Sequence, residues 1–137
     1  MISNCVFCKI INGDIPSTVI YEDDYFKGIL DISPANKGHV VILTKKHFAD
    51  FFEMDEEFAT KALLVAQKVA KALKMGLNCD GVNILQNNGE AAGQTVFHYH
   101  IHVIPRYKDD KVNITWSSGK YDEGEAAELA VLIKKYI

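Results

Sequence analysis

The sequence predicts an α+β fold, an antiparallel sheet of about five strands with two long helices. Three observations predict it. Runs rich in β-branched and aromatic residues at 18–22, 25–31, 37–43, 81–87 and 95–104 have strand length and strand patterning. Two longer runs, 56–75 and 122–137, carry apolar residues at helical spacing. The strands are joined by turns of hairpin length, which suits antiparallel pairing. With 137 residues, 48% of them hydrophobic, the chain is expected to form a single domain, 1–137, around one core.

Each element has a local reason. Ser3 or Asn4 is a candidate cap for a short helical turn over 5–11, ended by Asn12-Gly13, with Val6, Phe7, Ile10 and Ile11 on its apolar face. Asp23-Asp24 turns the first two strands into a hairpin. The second strand ends on Asp31-Ile32-Ser33-Pro34, where an aspartate before Ser-Pro commonly accepts turn hydrogen bonds. Gly38-His39-Val40-Val41-Ile42-Leu43 enters a third, buried strand that exits through Lys45-Lys46-His47. Asp55 caps the long helix and Gly76 stops it, with Phe58, Ala62, Leu63, Ala66, Val69, Ala70 and Leu73 on its apolar face. The chain is polar and irregular around its single tryptophan, Trp116. The last helix opens with Asp122 and Glu125 at capping-box spacing.

Three of the five histidines stand at alternate positions in the strand 95–104, which Pro105 is expected to stop. Residues two apart on a strand point the same way. His98, His100 and His102 are therefore expected to form one row of imidazoles, with Phe97, Tyr99, Ile101 and Val103 facing a core. A row of this kind serves phosphate chemistry, a metal, or both. The polar loop 87–95 upstream, with Gly89 and Gly93, can bring backbone amides close to an anion, with Gln94 and Thr95 as side-chain donors.

Gly93-Gln94-Thr95-Val96-Phe97-His98-Tyr99-His100-Ile101-His102-Val103-Ile104 resembles the signature of the histidine triad (HIT) superfamily, His-φ-His-φ-His-φ-φ with φ apolar. Asp31-Ile32-Ser33-Pro34 and Gly38-His39-Val40-Val41-Ile42 resemble its second motif; residues 108–137 carry no family motif. The resemblance implies a dimer in which the long helices and one strand pack across a two-fold axis. It implies a purine nucleotide pocket in which Asp31 holds the ribose hydroxyls and Ile32, Val6, Phe7 and Ile10 meet the base. It further implies His100 as nucleophile and His39 as an outlying histidine that supports the triad by hydrogen bonding.

Cys5-Val6-Phe7-Cys8 reads as a redox pair, half of a zinc site, or two buried thiols. Nothing strand-like precedes Cys5, which weighs against a thioredoxin-like pair. Zinc-bearing members of the family resemble this pattern of two N-terminal cysteines and two histidines. That likeness implies a structural zinc on Cys5, Cys8, His47 and His98.

Composition narrows the function classes. No apolar run approaches the roughly 18 residues of a membrane span, and no signal-like leader opens the chain. A formal charge of −3 gives no whole-protein attraction for nucleic acid. Three cysteines make an odd count, which argues against a disulfide framework. The expectation is a cytoplasmic protein, with no membrane or nucleic-acid partner.

Neutral imidazole is a competent nucleophile near pH 7, because its unperturbed pKa is about 6.5. His100 would attack the α-phosphorus of a nucleotide derivative and give a nucleotidyl-histidine that water resolves. His102 and the amides near Gln94 and Thr95 would stabilise the phosphoryl oxygens, and Asn87 would bond the nucleotide. No catalytic metal is required. The expected activity is hydrolysis of purine nucleoside phosphoramidates or related conjugates. The alternatives are a dinucleoside polyphosphate hydrolase, to which Gly93-Gln94-Thr95 points, and a nucleotide-binding regulatory module.

Overall fold

The computed structural model describes residues 4–137. The elements follow as α1 (Val6–Asn12), β1 (Val19–Glu22), β2 (Phe26–Leu30), β3 (Val40–Thr44), α2 (Glu56–Leu77), β4 (Gly81–Leu85), a single 3-10 turn (Glu90–Ala92), β5 (His100–Arg106) and α3 (Glu125–Lys134). The strands form one antiparallel sheet in the order β1-β2-β3-β5-β4. The predicted fold class is the one observed.

Alternation along the central strands decides what each face of the sheet carries. Val40 and Ile42 of β3, with Ile101 and Val103 of β5, join Phe58, Ala62, Ala66 and Val69 of α2 in the main core. Val41 and Leu43 point the other way, into a smaller cluster with Ile10 of α1 and Ile29 of β2. The register pairs His100 with Leu43 and His102 with Val41. Both imidazoles therefore lie on the α1 face, away from α2.

The helix ends obey local chemistry. Ser3 lies outside the described residues, and the cap of α1 is Cys5, whose sulfur accepts the Cys8 amide. Asp55 caps α2 by accepting the Phe58 amide, as expected. Gly76 does not stop α2; the helix runs to Leu77, and Asn78 takes the left-handed conformation at φ 52°. The Asp122 amide donates to the Glu125 carboxylate, half of the expected capping box, while α3 itself starts at Glu125.

Four further expectations are corrected. The last strand starts at His100 and not at Thr95, because the Tyr99 amide donates to Phe48 O in the loop after β3. Phe97, ahead of the strand, is half exposed and not in a core. Pro105 sits inside β5, where its carbonyl accepts from the Asn36 side chain ahead of the start of β3. N and C=O of one strand residue face the same neighbour, so the amide hydrogen missing from Pro105 removes no ladder bond. Leu63, expected on the apolar face of α2, is 70% exposed, and Val65 takes its place in the core.

Candidate active site and metal-donor cluster

The α1 face of the sheet carries a cavity of about 340 Å³. Val6, Phe7 and Ile10 come from α1, Ile29, Leu30 and Val41 from the sheet, and Asp31 and Ile32 from the end of β2. Thr95 and Val96 close one side, and His100 and His102 contribute the imidazoles. Its size and mixture of apolar wall with a few polar groups suit a small organic ligand. The sequence anticipates Val6, Phe7, Ile10, Asp31, Ile32, Thr95, His100 and His102 in this wall; Ile15, Pro16, Ser17, Ile29, Leu30, Val41 and Val96 complete it without a motif that marks them as ligand contacts.

Backbone partners assign the imidazole tautomers, since a neutral ring has one donor and one acceptor nitrogen. His100 Nδ1 lies 2.6 Å from His98 O, so Nδ1 holds the proton and Nε2 keeps its lone pair. The Ala35 amide donates to His39 Nδ1 at 3.0 Å, which places the His39 proton on Nε2. That nitrogen lies 2.9 Å from His102 Nδ1 and donates to it, leaving the His102 proton on Nε2. Burial holds His100 and His39 below the ordinary imidazole pKa. Burial, then the neighbouring His100 and His39 rings, push His102 down to about 4. The three rings are neutral at pH 7. Phe7 meets the His100 ring edge-on at 5.0 Å and packs it from the α1 side.

His98 is the member of the expected row that does something else. It lies ahead of the β5 ladder, is fully buried, and turns Nδ1 toward Cys5 Sγ at 3.3 Å, Cys8 Sγ at 3.5 Å and His47 Nδ1 at 3.1 Å. His47 Nδ1 is 3.4 Å from Cys8 Sγ. A tetrahedral zinc with bonds of roughly 2.3 Å to sulfur and 2.0–2.1 Å to nitrogen sets sulfur–nitrogen edges of about 3.5 Å and a nitrogen–nitrogen edge of about 3.3 Å. The donor set fits. His98 Nε2 donates to Thr44 O at 2.7 Å, which leaves Nδ1 unprotonated and able to ligate. Cys5, Cys8, His47 and His98 can hold a metal ion. Thr44 is a residue the sequence reading does not find, because its part is played by a backbone carbonyl.

A second group of possible donors, Asp31, His39 and His102, also converges. Here the Ala35 bond turns the His39 N–H into the group, and a protonated nitrogen is no metal ligand. Asp31 accepts the Ser33 amide with Oδ1 at 2.8 Å, while its Oδ2 lies 3.6 Å from His39 Nε2 at the edge of the cavity.

The loop before β5 is organised differently from the anion cradle expected of it. Gln94 is buried; its amide group donates to Ala49 O and Val96 O, and its oxygen accepts the Gly89 amide. The Gln94 backbone amide is spent on Gly89 O. The Asn87 side chain donates to Gly93 O at 3.5 Å, and Gly93 takes φ +95° beside it. Gln94, Asn87 and Gly93 thus fold the loop, and Thr95, with Val96 beside it, reaches the cavity wall.

Two imidazoles with assigned tautomers at a cavity, a third supporting them, and an adjoining histidine with its carbonyl on the central ring define a histidine triad protein. The family model of the HIT domain matches residues 12–109, and the chain belongs to that family. It is 39% identical over 127 residues, 91% of this chain and 77% of the relative, to the adenosine 5′-monophosphoramidase HNT1 of Saccharomyces cerevisiae. A HIT family protein from Bacillus anthracis superposes with a TM-score of 0.92 at 41% identity, covering 100% of this chain and 99% of the other. A zinc-bound histidine triad family protein from Mycobacterium smegmatis gives 0.77 at 41% identity, covering 96% and 97%.

Proposed function

We propose that this protein hydrolyses purine nucleoside phosphoramidates or closely related nucleotide conjugates at the α-phosphorus, through a nucleotidyl-histidine. The observation that carries the reading is the 2.6 Å bond from His100 Nδ1 to His98 O, which leaves a basic, neutral Nε2 at the cavity. His100 Nε2 attacks phosphorus and the P–N bond to the amine breaks, the amine taking up a proton from solvent that the attacking water gives back in the next step. Water then attacks the nucleotidyl-histidine, the Nε2–P bond breaks, and the nucleoside monophosphate leaves. The His102 N–H donates to a phosphoryl oxygen as charge builds on it. Asp31 takes the ribose hydroxyls, and Val6, Phe7, Ile10 and Ile32 take the base. No step calls for a catalytic metal.

The relative named a monophosphoramidase supports this substrate class. Gln94, the residue that favours a dinucleoside polyphosphate reading, is committed to the loop before β5. The metal of the four-donor cluster is read as a structural zinc, which would tie α1, and with it the base-binding wall, to the segment that leads into β5. Leu63, Leu64, Phe51 and Ile84 are exposed on α2, β4 and the neighbouring loop, and a homodimer packed through that face would cover them. None of the helices is long and apolar enough among the described residues to cross a membrane, in keeping with a cytoplasmic enzyme.

Turnover of adenosine 5′-phosphoramidate measured beside diadenosine polyphosphates tests the reading. The expected result is release of AMP from the phosphoramidate at the higher kcat/KM. No AMP from the phosphoramidate overturns it.

A further inference from the structure

We propose that Asn36 is a positioning residue for His102, acting through the Ala35 amide and His39 to fix which nitrogen of each imidazole carries its proton. The importance of the relay for turnover rests on the function proposed above; the proton placement itself does not.

Asp110 is the fixed point of the relay. Asp110 accepts from Arg106 Nε at 2.8 Å, Arg106 Nη2 at 3.0 Å, and the amides of Tyr107 and Val112. The Arg106 fork also bonds Asn83 on β4 and Val112 O. This knot sits at the far end of β5. Asn36 spends its side-chain amide on the knot, donating to Asp110 Oδ2 and Pro105 O, each at 2.9 Å. Its own carbonyl accepts the His39 amide at 3.0 Å. The turn from Asn36 to His39 is thereby closed at both ends, and it holds the Ala35 N–H at His39 Nδ1.

The consequence is electrostatic. With Nδ1 accepting, His39 must donate from Nε2, His102 must accept at Nδ1, and the His102 proton must stand on Nε2, the other side of a ring that lines the cavity. Without the Ala35 bond, His39 is free to keep its proton on Nδ1. Nε2 would then accept from His102 Nδ1–H, and His102 would turn a lone pair toward the phosphoryl oxygen it should stabilise. An acceptor facing an acceptor reverses the contribution of His102 to the transition state. One backbone amide, anchored by Asn36, decides between the two.

The test uses the full chain labelled with 15N-histidine, because donor and acceptor imidazole nitrogens have well-separated shifts. In wild type, donor-type Nε2 is expected on both His39 and His102; a donor-type Nδ1 on His39 overturns the proposal without any variant. Asn36→Ala removes the anchor, and Ala35→Pro removes the amide hydrogen while also fixing φ at residue 35. Both are expected to give averaged shifts at His39 and His102. With them, kcat should fall roughly ten- to a hundredfold, the scale of loss seen when the partner orienting a metal-bound histidine is removed, while KM changes little. Lys37→Ala, in the same turn, should leave the shifts and kcat at wild-type values. Folded Asn36→Ala and Ala35→Pro proteins with wild-type shifts at both rings overturn the proposal, whatever their melting temperatures. Altered shifts in a chain that cleaves no phosphoramidate uphold the positioning role and sink the proposed reaction.

Discussion

His98 donates nothing to the cavity directly, yet its carbonyl oxygen lies 2.6 Å from His100 Nδ1 while its own Nδ1 lies 3.3 Å from Cys5 Sγ. One residue thus belongs to the metal-donor cluster by its side chain and to the triad by its backbone. Anything that moves His98 moves the proton placement on His100.

His100→Ala is expected to abolish turnover of adenosine 5′-phosphoramidate while AMP still binds, since loss of a nucleophile costs several orders of magnitude. Rapid quenching of the wild type should trap an adenylyl group on His100, seen by peptide mass. A variant that keeps more than about a hundredth of the wild-type rate would rule His100 out as the nucleophile, on the same scale of loss.

Protein purified without added metal is expected to carry about one equivalent of zinc, the complement of one Cys2His2 set. Cys8→Ser should lower both zinc content and melting temperature, and added metal should not raise the rate of the intact enzyme. Stoichiometric zinc in a Cys5→Ser/Cys8→Ser protein would refute the assignment to this cluster.

Asp31 has one oxygen on the Ser33 amide and the other free of that turn. Charge-assisted bonds to ribose hydroxyls are worth about 1.5–3 kcal/mol each, so a 2′-deoxy substrate should lose roughly ten- to a hundredfold in kcat/KM. Asp31→Asn should erase much of that preference. The base meets an apolar wall, so guanosine and adenosine substrates should differ weakly. Equal wild-type rates on ribo- and deoxyribo-substrates would reduce Asp31 to a turn residue.

The pH dependence follows from His102, held at about 4 by burial and its neighbouring imidazoles. An imidazole in the unfolded chain titrates near 6.5. Between these values the unfolded state binds more protons, so stability rises with pH across the window and is lost as pH falls through it. Burial lowers His39 and His100 in the same direction. Thermal melts should be insensitive to these groups above about pH 6.5 and fall progressively below it. The plateau of kcat/KM should extend to the acid side of an ordinary imidazole; an acid limb centred at about 6.5 would contradict neutral rings.

Much of the site is legible because its residue types are unusual in their setting. Alternate histidines on a β-branched strand announce a row, and two cysteines one helical turn apart announce soft donors. The direction of His98 is not legible from strand periodicity, which keeps it in the row; only the family resemblance places it with Cys5, Cys8 and His47. That direction depends on the Tyr99 amide leaving the ladder for Phe48 O, a contact across 51 positions that no local pattern encodes. Gln94 is misread for a related reason: a glutamine in a glycine loop looks the same whether it faces a ligand or pins the loop to Ala49. Helical spacing places Leu63 on the apolar side of α2, yet against the sheet it is Val65 that is covered and Leu63 that is not. Ala35 and Thr44 act through main-chain atoms, and side-chain identity carries no trace of that.

The pairing of His100 with Leu43 and of His102 with Val41 also bears on how faithfully the chain assembles. A slip of β5 by one residue would turn both imidazoles toward Phe58 and Val69 and carry Ile101 out to the cavity side. Two rings would enter an apolar layer with no partners, at a penalty of the order of 1–3 kcal/mol for each unsatisfied polar group. A misaligned sheet would therefore be unstable as well as inactive. The fold proofreads its own chemistry: chains that hold together are the ones whose histidines already face the ligand.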